Sequence, residues 1–154
     1  MTEGSVEQSG AATRRVLLAA HTGRSDIVEL ARSAATRLDK AGIVVRVLPE
    51  EAGALAIPEA EVCHDGNDAA QDVEVVLVFG GDGTFLRAAE LARATDAAIT
   101  GVNLGRVGFL AETEPESVED MLGAVEHCRY AVEERLTLEA VSYTHLTLPT
   151  NREV

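Results

Sequence analysis

Positive charge is scarce in this 154-residue chain. Thirteen Lys and Arg stand against 26 Asp and Glu, a formal net charge of −13 at pH 7. That deficit argues against a nucleic-acid module, which carries a basic patch or stripe. It argues equally against electrostatic docking on an anionic membrane. Aromatic residues are only 3% of the chain and Trp is absent, so the core must be aliphatic and base-stacking platforms are not expected. Cysteine is reduced to Cys63 and Cys128, with no C-x-x-C and no zinc spacing; incidental thiols in a reducing, cytoplasmic setting are the expectation. No apolar run approaches the ~18 residues of a membrane span. Residues 1–13 lack the basic and apolar regions of a signal peptide and read as a solvated tail.

Hydrophobic residues make up 46% and charged residues 25%, an ordinary globular mix. Val16–Ala20 is a short apolar run suited to a strand buried on both faces, and it ends in the polar turn His21-Thr22-Gly23-Arg24. Asp26 and Glu29 have the spacing of a capping box. Ile27, Leu30, Ala31, Ala34, Leu38 and Ala41 then share one helical face, and Gly42 is the expected stop. Residues 43–48 read as a second strand. The stretch 49–66 is less regular: EEAGALA suits a short helix and HDGND a turn.

Residues 73–79, VEVVLVF, are the strongest strand signal and run straight into Gly80-Gly81-Asp82-Gly83-Thr84. Phe85, Leu86, Ala88, Ala89, Leu91 and Ala92 follow as a helical stripe. Residues 97–102 read as a strand that ends in NLGRVGFL. Thr113, Pro115 and Glu116 then signal a helix start, with Val118, Met121, Leu122 and Val125 on its buried face. Strands alternating with helices predict an α/β fold, a Rossmann-like parallel sheet with flanking helices. Ligands in such sheets sit outside the carboxyl ends of the strands, where the turns 21–24, 80–84 and 103–109 lie. Residues 136–141 alternate instead, as the first strand of a separate β unit would.

Gly80 to Thr84 has the composition of a phosphate cradle. Glycines tolerate positive φ and close approach, consecutive amides make an anion-binding concavity, and a helix opening after Thr84 adds its positive end. The loop is neither a Walker A motif nor G-x-G-x-x-G. Asp82 opposes phosphate binding, so it is either a turn residue or a carboxylate for phosphoryl transfer, accepting a hydroxyl proton or helping to hold Mg²⁺. Arg24, Arg106 and His21 lie at the same edge and are equally well read as exposed turn residues.

VEVVLVFGGDGTFLRAAELA followed by ITGVNLGRVGFLAE resembles bacterial NAD kinase over roughly residues 16–141. GGDGT alone is shared with diacylglycerol and sphingosine lipid kinases, while GVNLG with Gly108-Phe109-Leu110 is more specific. The resemblance implies transfer of a phosphoryl group from ATP with a divalent metal (Mg²⁺), or from polyphosphate, to the 2′-hydroxyl of the adenosine ribose of NAD. It implies Asp82 as proton acceptor, Asp82 and Gly83 as the NAD-contacting pair, and Arg87 and Phe109 against the nucleotide. Thr84 and Phe85 shape the pocket. No metal ligand is assigned. The partners implied are small nucleotides, with no nucleic acid or membrane, and a homo-oligomer for full-length members.

The expected organisation is a tail over 1–13, a nucleotide-binding α/β domain over 14–135, the opening strand of a β domain over 136–141, and a tail over 142–154. Family members continue into a β-rich domain with an Asn-Glu pair and a Thr-Gly-Ser-Thr segment, which this chain does not contain. SYTHLTLPTNREV resembles translated sequencing adapter and is expected to be non-native. The chain by itself is expected to have little kinase activity. Two readings stay beside the NAD kinase one: a lipid kinase, and an inactive nucleotide-binding half-domain.

Overall fold

The computed structural model describes residues 13–64, 68–103 and 118–132. Nine elements follow one another: β1 Arg15–Ala20, α1 Ser25–Lys40, β2 Val44–Val47, α2 Pro49–Leu55, β3 Glu61–Val62, β4 Val75–Gly80, α3 Asp82–Ala92, β5 Ala98–Asn103 and α4 Val118–Glu126. All five strands pair in parallel, in the order β3-β2-β1-β4-β5. This is the expected α/β fold.

The strands are apolar on both faces because both faces are covered. Val16, Leu18, Ala20, Val75, Leu77 and Phe79 point into one layer, with Ile27, Ala31 and Leu38 of α1 and Met121, Leu122 and Val125 of α4. Leu17, Ala19, Val76 and Val78 point the other way, against Ala88 and Ala92 of α3. Phe79, Leu17, Leu18 and Leu77 are wholly buried.

Gly42 ends α1 as expected, at φ +85°, a left-handed conformation that costs glycine little. The capping box does not form. The N-cap of α1 is Arg24, with no side-chain cap. Asp26 sits inside the first turn, where its carboxylate accepts the Ile27 N–H at 3.0 Å and pairs with Arg24 at 2.7 Å. The two-residue strand β3 had no sequence signal of its own. The stripe on α3 is narrower than the pattern suggested: Ala88 and Ala92 are buried, but Leu86 is 59% exposed.

The expectations for the tails, the turn 104–109, the helix start at Thr113, Pro115 and Glu116, and the strand over 136–141 fall outside the described residues.

Candidate functional site

Strand order locates the site. From β1 the chain leaves toward β2 on one side; from β4 it leaves toward β5 on the other. The two strands are neighbours, so their outgoing turns part and open a crevice at their carboxyl ends, the usual ligand position in such sheets. His21 follows β1 there, and its backbone N–H donates to the Phe79 carbonyl of β4 at 3.0 Å.

The Gly-rich segment is tighter than the sequence suggested. β4 runs through Gly80, Gly81 is the N-cap, and α3 begins at Asp82 rather than after Thr84. The Phe85 N–H already bonds the Gly81 carbonyl at 3.0 Å. The amides of Asp82, Gly83 and Thr84 therefore have no carbonyl one turn earlier to receive them, and they define the positive end of the helix. Positive φ is not the reason for the glycines. Gly81 has φ −105°, and Gly42 is the one glycine with positive φ among the described residues. The reason is space. A Cβ added to Gly81 or Gly83 would meet nothing within 4 Å, so both positions have open space beside the backbone. A Cβ on Gly80 would lie 2.7 Å from the Thr84 hydroxyl oxygen, so Gly80 lets the first turn of α3 close against the strand.

Thr84 thus buttresses the turn. Phe85 packs behind it: a Cβ on Gly101 of β5 would come within 3.2 Å of the Phe85 ring. Asp82 and Gly83 stand together at the mouth, half-buried and exposed respectively. Phe109 and Arg106 lie outside the described residues. Arg24 is the N-cap of α1 and is paired with Asp26.

Arg87 is neither free in solvent nor alone. Its Nη1 lies 2.9 Å from Oε2 of Glu51, and its Nη2 pairs with Glu50, both on α2. Glu51 is the buried charged residue among the described positions, 2% exposed. Its Oε1 accepts the N–H of Ala20, the last residue of β1, at 3.0 Å. Oε2 is within ion-pair range of Arg87 but off the line of a good hydrogen bond. Burial pushes the Glu51 carboxyl above the usual glutamate range, while the Ala20 N–H and Arg87 pull it back. Sequence reasoning missed Glu51. An acidic pair after Pro49 reads as ordinary first-turn dipole stabilisation, and nothing local marks one of the two as buried.

Among the described residues no group of three or more His, Cys, Asp or Glu could hold a metal ion. No helix there is long and apolar enough to cross a membrane.

A family model described as the ATP-NAD kinase N-terminal domain matches residues 16–130. The NAD kinase of Rhodococcus erythropolis strain PR4 is 47% identical over 142 residues, covering 84% of this chain and 45% of that protein. The NAD kinase of Corynebacterium efficiens is 50% identical over 133 residues, 83% of this chain and 42% of its own. The chain therefore spans less than half the length of the curated relatives it matches. A yeast NADH kinase, solved in complex with NADH, superposes with a TM-score of 0.68 over 78% of this chain and 38% of that one. At 16% identity, that likeness concerns the fold.

Proposed function

Since the chain belongs to the ATP-NAD kinase family, we propose that it forms the nucleotide-binding α/β part of an NAD kinase. The reaction is phosphoryl transfer from ATP, or polyphosphate, to the 2′-hydroxyl of the adenosine ribose of NAD. One observation carries the reading. Two glycines with open space where side chains would be flank a carboxylate at the N-terminus of α3, in the crevice between diverging strands.

Each residue then has a task. Gly81 and Gly83 let the nucleotide approach the backbone. The helix N-terminus stabilises negative charge beside it. Asp82 takes the proton from the 2′-hydroxyl as that oxygen forms its bond to the γ-phosphorus and the bond to ADP breaks, the role of the catalytic aspartate in other phosphoryl transfers. Asp82 and Gly83 touch the ribose end of NAD, and Arg87 and Phe109 border it. Thr84 and Phe85 hold the turn in shape. A divalent ion enters as part of the metal–ATP substrate. Cys63 and Cys128 form no disulfide, which accords with a reducing, cytoplasmic setting.

The test joins residues 14–141 to the C-terminal remainder of the Rhodococcus erythropolis relative. The chimera is expected to make NADP from NAD and ATP, and Asp82→Asn to cost roughly 10²–10⁴-fold in kcat, the usual worth of a positioned acid or base. A folded chimera that binds NAD without turning it over would sink the proposal, as would an Asp82→Asn variant of full activity.

A further inference from the structure

Arg87 lies four residues after Gly83 on α3, so the two share a helix face. A side chain at Gly83 would project into open space, and Arg87 is the basic residue one turn along from it. Its side chain is 39% exposed and its guanidinium carries two different partners. Glu51 is locked inside by its bond to the Ala20 N–H. Glu50 is 62% exposed and ends in solvent. One carboxylate is a fixture and the other can leave.

We propose that Glu51 is a positioning residue that aims Arg87 at the crevice, and that Glu50 occupies the guanidinium edge an anionic oxygen of the nucleotide takes on binding. The inference rests on the nucleotide-binding reading above and assigns a division of labour within that site. Arg has a planar fork of donors, so it can stay on Glu51 through one nitrogen while exchanging Glu50 for a ligand oxygen at another. Holding the long side chain in place before the ligand arrives removes an ordering cost from binding. Glu50 works the other way, as an internal competitor whose exposed pairing is weak and sensitive to salt.

The experiment is an NMR titration of the 154-residue chain with NAD at low ionic strength, following amide shifts at residues 80–87. Glu50→Gln and Glu51→Gln remove one negative charge each from adjacent positions, so long-range electrostatics alone would tighten binding in both. The expected signs are opposite. Glu51→Gln keeps an acceptor for the Ala20 N–H but frees Arg87, and weakens NAD binding about threefold to tenfold, the worth of one ordered side chain. Glu50→Gln tightens it about twofold to fivefold, an effect that vanishes in high salt. Arg87→Lys keeps the charge but not the fork, and is expected to weaken binding as Glu51→Gln does.

Changes of the same sign and size in the two glutamine variants overturn the inference. So does wild-type affinity in Arg87→Lys, which keeps the test decisive even if Glu51→Gln does not fold. Both of those results leave the phosphoryl-transfer reading to its own chimera test. Absence of NAD-induced shifts at residues 80–87 in the unaltered chain would remove the site itself.

Discussion

The two ends of the parallel sheet are built on opposite plans. At the amino end the protein satisfies itself. Arg14 bonds Glu74 at 2.6 Å and donates to the carbonyls of Val125 and Glu126 at the end of α4. Tyr130 donates to the other oxygen of Glu74 at 2.7 Å. Burial and that acceptor push the Tyr130 hydroxyl up to about 12. Arg46 pairs with Glu61 at 2.8 Å and reaches the carbonyls of Asp68, Ala69 and Gln71, and Arg15 joins Glu61 from β1. At the carboxyl end side chains are withheld: Gly80, Gly81 and Gly83 cluster there, and the buried carboxylate of Glu51 faces a half-exposed Arg87. The first end is closed by intramolecular bonds; the second is left open to be closed by a ligand. Charges that pair inside a fold contribute to stability, whereas groups placed for a ligand are supported at some cost to it.

If that contrast is right, breaking the amino end should cost stability and spare binding. Arg14→Ala removes three charge-assisted bonds, two that join the residue before β1 to the end of α4 and one to Glu74 just before β4, and about 2–3 kcal/mol of unfolding free energy is expected to go with them. Chemical denaturation measures it. NAD-induced NMR shifts at residues 80–87 should stay as they were; a loss of binding equal to the loss of stability would dissolve the contrast.

Gly83→Ala should do the reverse. The residue is inside α3 with negative φ, where Ala is favoured over Gly by about 0.5–1 kcal/mol. Melting temperature should rise while NAD binding falls, because the new methyl group stands in the crevice. A variant that is both more stable and equally competent to bind would show that the space is idle.

The smallest expected effect is a difference in pH slope. Arg46, and then Arg15, hold the Glu61 carboxyl below the 4.5 of an ordinary glutamate. Its contribution is therefore present above the unfolded pKa and lost as pH falls. Glu51 is raised from 4.5 by burial. The folded state keeps its proton where the unfolded chain has released it, so its contribution is lost as pH rises through the folded value. As pH rises toward 4.5, Glu61→Gln should lose ground to the unaltered protein, and as pH rises further above 4.5, Glu51→Gln should gain on it, in urea midpoints. Parallel slopes would mean that the two ends of the sheet are electrostatically alike.

The sequence made the sheet and its ligand edge legible because both depend on local pattern. Uninterrupted apolar runs marked β1 and β4, a 3.6-residue period marked α1, and Gly42 marked its end. The GGDGT segment announced itself by composition. What stayed hidden depends on distance in space. That α3 starts at Asp82 follows from the fit of Gly80 against Thr84. The burial of Glu51 follows from Ala20, 31 residues earlier, and Arg87, far later in the chain. Open space at Gly81 and Gly83 is likewise a property of the crevice, which no run of residues encodes.

The strand order also carries a timetable. β1 leaves the ribosome before the other described strands, yet it lies at the centre of the sheet, between β2 and β4. Its second neighbour, Val75–Gly80, is made about 60 residues after it, a wait of roughly 3–12 s at ordinary rates of translation. Throughout that interval one flank of an apolar strand stands without its partner. The glycine segment emerges at the close of the same wait, so the nascent chain gains the Gly80 turn only as β1 is at last enclosed.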